Sequence, residues 1–171
     1  MNKLFGSFGY NSDDIRIIFF MEIQIIGQLV LAALLGALIG LEREYKKRAA
    51  GLRTHSLVCL GAALFTIISL EAFTSWLGKP GVTFDPGRIV GQIVLGIGFI
   101  GAGLIIFRQF RVEGLTTAAG LWVVAAIGVA VGTKLYLPAI FATFLALGIL
   151  AGLRILEEKA IQKSPPTDTE I

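Results

Sequence analysis

Five apolar runs dominate the chain, at residues 23–41, 57–77, 89–107, 115–131 and 135–153. Each approaches the roughly 20 helical residues that cross about 30 Å of hydrocarbon, so the pattern predicts five transmembrane helices. The fourth run is the shortest, and only Gly132-Thr133-Lys134 links it to the fifth. Those two are expected to form an antiparallel helical hairpin, because a lipid-exposed loop at that depth would leave backbone groups unpaired. The fold class implied is an all-α, polytopic membrane helix bundle.

Polar segments separate the runs at 42–54, 78–88 and 108–114. The second holds Gly78, Pro80, Gly81, Pro86 and Gly87 and reads as a loop. The chain thus divides into an N-terminal extension (1–20), a transmembrane domain (21–153) and a short tail (154–171). The tail begins as a charged helical continuation from Arg154 to Lys159, and order is expected to end at Ser164-Pro165-Pro166. The extension is polar at its start and lacks the cleavage pattern of a signal peptide. Met21 opens a run that completes a span unaided, which makes it a candidate start and the leader a dispensable extracytoplasmic segment.

Composition agrees with lipid burial. The chain is 55% hydrophobic and 16% charged, with a mean hydropathy of +0.79, whereas soluble domains carry about a quarter charged residues. That deficit argues against a disordered chain, a nucleic-acid-binding module or a cytosolic enzyme. Ten of the 15 Lys and Arg residues fall in the 42–54 loop, the 108–114 loop and the tail. The bias places those segments in the cytoplasm, with the N-terminus outside and the C-terminus inside. The net charge of +3 therefore reads as a topological signal beside a lipid bilayer, not as a nucleic-acid footprint. A lone cysteine, Cys59, forms no internal disulfide, and a lone histidine, His55, excludes any site that needs two imidazoles.

Residues 96–101 match the dinucleotide fingerprint GxGxxG, but they lie inside an apolar run and not between a strand and a helix. No cofactor follows from them. Helix packing explains the glycines better, since small residues let helix backbones approach closely where lipid removes the hydrophobic drive. Gly36 with Gly40, Gly87 with Gly91, Gly128 with Gly132, and Gly148 with Gly152 each have the small-xxx-small spacing. Gly91, Gly96, Gly98, Gly101 and Gly103 make the third helix thin, which predicts a central position with neighbours on several sides. Local unwinding around an ion is the second reading. Leucine at Gly36, Gly40 or Gly98 is expected to damage assembly of a homo-oligomer.

Several polar residues stand against the ends of spans. Lys46, Lys47 and Arg48 read as topological anchors at the headgroups. Glu42, Arg43, Arg53, Thr54 and His55 lie against the ends of two spans, where charges either snorkel or pair inside the bundle, as Glu42–Arg53 or Arg43–Glu113. Asp85 before Pro86 is a good helix N-cap, and Arg88 follows within a turn, where Asp85 or Glu71 could offset it. Thr116 and Thr117 can bond helix carbonyls, or join Glu113 in an oxygen-rich vestibule for a hard cation such as Mg²⁺. Asp85 and Glu113 are accordingly the metal candidates. No nucleophile–base pair and no phosphate loop supports enzymatic chemistry.

Four blocks carry a resemblance: GALIGLERE (36–44), AGLRTHSLVCLGAALF (50–65), DPGRIVGQIVLGIGFIGAGLI (85–105) and VEGLTTAAGLWVVAAIGVAVG (112–132). Together they resemble the MgtC/SapB family of bacterial inner-membrane proteins, over about residues 23–150. The resemblance implies a small multi-pass protein of the bacterial inner membrane, tied to adaptation to low magnesium and, in pathogens, to survival inside phagocytes. It implies a regulator of other membrane proteins, with the F-type ATP synthase and a magnesium-transporting P-type ATPase as partners. The family pattern marks Glu42, Arg43, Glu44, Gly51 to His55, Asp85, Arg88, the glycines from Gly96 to Gly103, Gly114 to Thr117, and Trp122. Many members continue into an ACT-like soluble domain, and this chain resembles the form that lacks one. The expectation is a regulator or stress-adaptation factor linked to magnesium and proton homeostasis. The alternatives are a small Mg²⁺ or H⁺ carrier running past Asp85, Arg88 and Glu113, and a structural subunit that only oligomerises.

Overall fold

The computed structural model describes residues 12–71, 85–108 and 111–153. Five α-helices make up nearly all of it: α1 (Ser12–Tyr45), α2 (Leu52–Glu71), α3 (Pro86–Leu104), α4 (Leu115–Gly132) and α5 (Tyr136–Gly148). A π-helical turn, Ile149–Leu153, continues α5. Between α3 and α4 lies a short antiparallel hairpin of β1 (Ile106–Arg108) and β2 (Arg111–Glu113). The expected loop 78–88 is cut short, because Pro86 already opens α3, and the expected tail structure lies outside the described residues.

Helices α1 to α4 are long and apolar enough to cross a membrane, while Tyr136–Gly152 is a shorter apolar helix. Their outward faces are hydrophobic, as Phe99 at 84% and Leu137 at 81% exposure illustrate. Such a surface belongs in lipid. Helix α1 is much longer than its expected span, since it starts at Ser12 and runs through the extension without a break. Helix α3 stops earlier than its apolar run does. Ile105 turns extended, and Ile106-Phe107 pair with Glu113 and Val112 as strand residues. Branched and aromatic residues next to alternating charges favour a strand once the chain leaves the bundle.

The helix ends are local events written in the chain. Asp85 caps α3, its Oδ1 accepting the Gly87 N–H at 2.9 Å, with proline at the first turn. Lys47 ends α1 in the left-handed region (φ 53°), and the Arg48 N–H reaches back to the Arg43 carbonyl at 3.0 Å. Lys134 repeats that arrangement after α4, with Leu135 N–H bonded to Ala130 O at 2.8 Å, so the tight link is a Schellman turn that folds α5 back. Gly114 starts α4 at φ +93°, where a Cβ would run into the Leu104 carbonyl. Only glycine meets both demands there.

Helix α2 is the filling of a sandwich. Gly36 and Gly40 of α1 meet one side of it: a Cβ on Gly36 would lie 2.6 Å from His55 O, and one on Gly40 2.7 Å from the Leu52 Cα. Gly128 and Gly132 of α4 meet the other side, Gly128 against the Cys59 carbonyl and Gly132 2.7 Å from the Thr66 Cβ. Ala32, Leu35, Ile39, Cys59, Ala63, Val124 and Ile127 fill the core around these crossings. Both small-xxx-small pairs thus pack as expected.

The third helix does not. A Cβ on Gly91, Gly96, Gly98 or Gly103 would meet nothing within 4 Å, and one on Gly101 would make ordinary contact with Ala118. Gly148 and Gly152 are equally open, and Gly87 touches only its own cap. Helix α3 leans on α4 at the margin, and α2 with α4 takes the centre that glycine density had predicted for α3. The reason is that a glycine-rich helix can approach a neighbour on many faces, and spacing does not say which face has one.

Candidate functional site

The last turn of α1 sends three successive charged residues in different directions, since neighbours on a helix diverge by about 100°. Glu44 faces the start of α2, where its Oε2 accepts the Leu52 N–H at 2.8 Å. It thereby serves as a cap supplied by another helix, satisfying a donor that α2 itself leaves open. Arg43 points into the bundle and is 4% exposed. Its Nη2 donates to the Thr117 hydroxyl of α4 at 3.0 Å, and its Nη1 lies 3.7 Å from Glu42 Oε2. The Arg43 Nε is buried with no hydrogen-bond partner. Removing the cap through Glu44→Ala is expected to cost about 1 kcal/mol; an unchanged thermal midpoint in detergent would refute that role.

His55, one turn into α2, is fully buried. Its Nδ1 lies 2.9 Å from the Gly51 carbonyl, which can only accept, so Nδ1 carries the hydrogen. Its Nε2 is buried without a partner and faces Gly120 of α4, where a Cβ would lie 3.7 Å away. Glu42, Arg43, His55 and Thr117 therefore form one polar cluster, which we call the basic end, between α1, α2 and α4.

Beside that cluster opens a cavity of about 750 Å³, lined among others by Arg43, Lys47, Arg48, Glu113, Thr116 and Thr117. Lys47 and Arg48, expected as simple anchors, are thus part of its wall. The expected Arg43–Glu113 pair is not formed, although both residues border this space. Nor is Glu42–Arg53, because Glu42 turns to its neighbour Arg43 while Arg53 is exposed. Thr54 is half-buried nearby.

Asp85 and Arg88 are elsewhere. They stand at the start of α3, and Glu113 lies beyond its far end; the 19-residue helix is about 28 Å long at 1.5 Å per residue. Both are exposed, Asp85 acting as the cap described above, and Arg88 makes no ion pair among the described residues. Glu71, offered as a partner for Arg88, instead lies 3.4 Å from Lys134. No group of three or more His, Cys, Asp or Glu that could hold a metal ion occurs among the described residues.

Sequence reasoning overlooked Gln28. It is 2% exposed, and its Nε2 donates to the Val131 carbonyl at 3.1 Å, tying α1 to the end of α4. Its signal was available: an amide inside an apolar run must find a partner within the bundle. The β-hairpin was overlooked as well, although Ile106, Phe107 and Val112 in its strands are strand-forming residues.

Comparison with known proteins agrees with this architecture. The MgtC family profile matches residues 29–159. The chain is 42% identical over 144 residues to the Escherichia coli K12 protein named "Putative magnesium transporter YhiD", covering 84% of this chain and 67% of that one. It is 47% identical over 119 residues to Protein MgtC of Salmonella typhimurium LT2, covering 70% of this chain and 48% of that protein. Protein MgtC of Brucella abortus is 44% identical over 136 residues, 77% of this chain and 54% of its own length. The chain therefore spans about half the length of the MgtC proteins it matches. No solved structure matches. With a profile match across most of its length, a bundle of apolar helices and relatives above 40% identity, the chain belongs to the MgtC family of multi-pass membrane proteins.

Proposed function

We propose that this chain is a regulator or stress-adaptation factor of the bacterial inner membrane, linked to magnesium and proton homeostasis through other membrane proteins. Its basic end faces the cytoplasm in this reading, as the distribution of Lys and Arg supports. Partners of the kind implied by family resemblance, the ATP synthase or a P-type ATPase, would dock on the bundle, and the chain would assemble as a homo-oligomer.

One observation carries the reading: the two candidate carboxylates lie at opposite ends of α3, and the bundle core beside that helix is apolar. Only Glu113 borders the basic-end cavity. Along α2, the buried polar residues His55 and Thr66 are eleven positions apart, about 16 Å of helix. Cys59, Ala62 and Ala63 fill that interval against Val124, Ala125 and Ile127. Thr66 donates its hydroxyl hydrogen to the Ala62 carbonyl of its own helix at 2.8 Å, and the buried side chains of α2 between His55 and Thr66 are only apolar ones and Cys59. A hydrated cation would have to shed its shell there with nothing to replace it.

The carrier reading is favoured by the name of one relative, "Putative magnesium transporter YhiD", and it makes the opposite prediction. Purified protein in proteoliposomes is expected to pass Mg²⁺ and H⁺ no faster than empty vesicles. Flux above that background that disappears in Asp85→Ala would overturn the regulatory reading.

A further inference from the structure

We propose that the basic-end cavity is a binding site for a phosphate group, presented either by an anionic lipid headgroup or by a soluble phosphate ion. Four features converge on it. Three cations, Arg43, Lys47 and Arg48, border the space, with Glu113 the one carboxylate on its wall among the described residues and Glu42 paired to Arg43. The N-terminus of the 18-residue α4 opens into the same space. Its first helical bond is from Ala118 N–H to Gly114 O, so the N–H groups of Leu115, Thr116 and Thr117 precede the ladder. Gly114 at the cap position offers them no side-chain acceptor. Amides and positive dipole at such an end favour an anion.

The third feature is the state of Arg43. It is 4% exposed, lines the cavity, and has a buried Nε without a partner. A guanidinium in that condition holds unused donor capacity in a place where water cannot supply the missing bond at no cost. Its Nη2 bond to Thr117 holds the fork against the start of α4, with the cation and the helix terminus side by side. The fourth feature is the backbone at Lys47. The left-handed turn there brings Lys47 and Arg48 back to the wall of the cavity rather than onward from α1. Phosphate suits this set because its several oxygens accept charge-assisted bonds from a guanidinium, an ammonium, a hydroxyl and backbone amides together.

The cavity also has apolar wall, from Leu104, Ile106 and Leu115, and its volume far exceeds one phosphate ion. There is space for the group that carries the phosphate, whether glycerol and acyl chain or a small metabolite. The assignment holds whether or not the chain conducts an ion.

The test uses the full chain in detergent. One arm measures binding of inorganic phosphate by equilibrium dialysis against chloride of equal ionic strength. The other measures retention of phosphatidylglycerol against phosphatidylcholine by native mass spectrometry. At least one of the two anions is expected to bind. Its affinity should fall by about tenfold or more in the Lys47→Gln/Arg48→Gln double variant, as expected for loss of charge-assisted bonds. Both side chains are exposed, so this variant keeps the melting temperature of the ligand-free protein. Arg43→Lys, which keeps the charge and loses the fork, should weaken binding as well. Binding of phosphate alone identifies a soluble ligand, and binding of phosphatidylglycerol alone a headgroup. Binding of neither beyond the chloride and phosphatidylcholine controls overturns the proposal, as does wild-type affinity in the double variant.

Discussion

Gly128→Ala is expected to destabilise the bundle by about 3 kcal/mol, the upper part of the range for overpacking a core. A methyl group there would strike the Cys59 carbonyl and sit 2.9 Å from the Ala62 Cβ. The obstacle is backbone of α2, held by its own helical bonds, so no rotamer change relieves it. Helix α2 cannot retreat either, because Gly36 and Gly40 hold α1 equally close on its far side. The control is Gly98→Ala on α3, where a Cβ meets nothing within 4 Å. That change should stay within about 0.5 kcal/mol. Unfolding titrations in mixed micelles would compare the two, and equal stability of both variants would remove the sandwich as the source of packing. The expectation that leucine at Gly98 harms assembly now concerns contacts between chains, since within one chain that face is open.

The second large effect is at Arg43. Arg43→Met should cost about 3–5 kcal/mol, the penalty for breaking a buried ion pair from one side. Glu42, whose side chain is 14% exposed, would keep a desolvated carboxylate 3.7 Å from where its partner stood. Thr117 would lose the donor to its hydroxyl. The cost therefore comes from what is left behind, and a second substitution should recover part of it. Glu42→Gln combined with Arg43→Met is expected to be more stable than Arg43→Met alone, a non-additivity that a double-mutant cycle reads directly. Additive losses would mean that Glu42 and Arg43 are not coupled.

These expectations separate what the chain makes legible from what it does not. The membrane bundle was readable because lipid imposes a length and a composition on each span, and 23–41, 89–107 and 115–131 all fall largely within observed helices. Asp85 was readable because a cap is a contact between near neighbours in sequence. Glu42, Arg43 and His55 were marked as residues at span ends, and they do form one cluster. The partner of Arg43 was out of reach. Thr117 lies 74 positions away, and several charged residues had equal claim on it.

By itself, the sequence determined the number of helices, the cap of α3, the basic bias of one end and the family. Each is a property of a single segment or of its composition, and lipid acts on segments one at a time. Tertiary structure alone decided that α2 and not α3 lies at the centre, that Asp85 and Glu113 belong to opposite ends, and that Arg43, Lys47 and Arg48 meet the start of α4 around one cavity. A glycine states that a helix can be approached, and a charge states that it needs a partner. Which helix approaches and which partner answers depend on how all five surfaces fit at once.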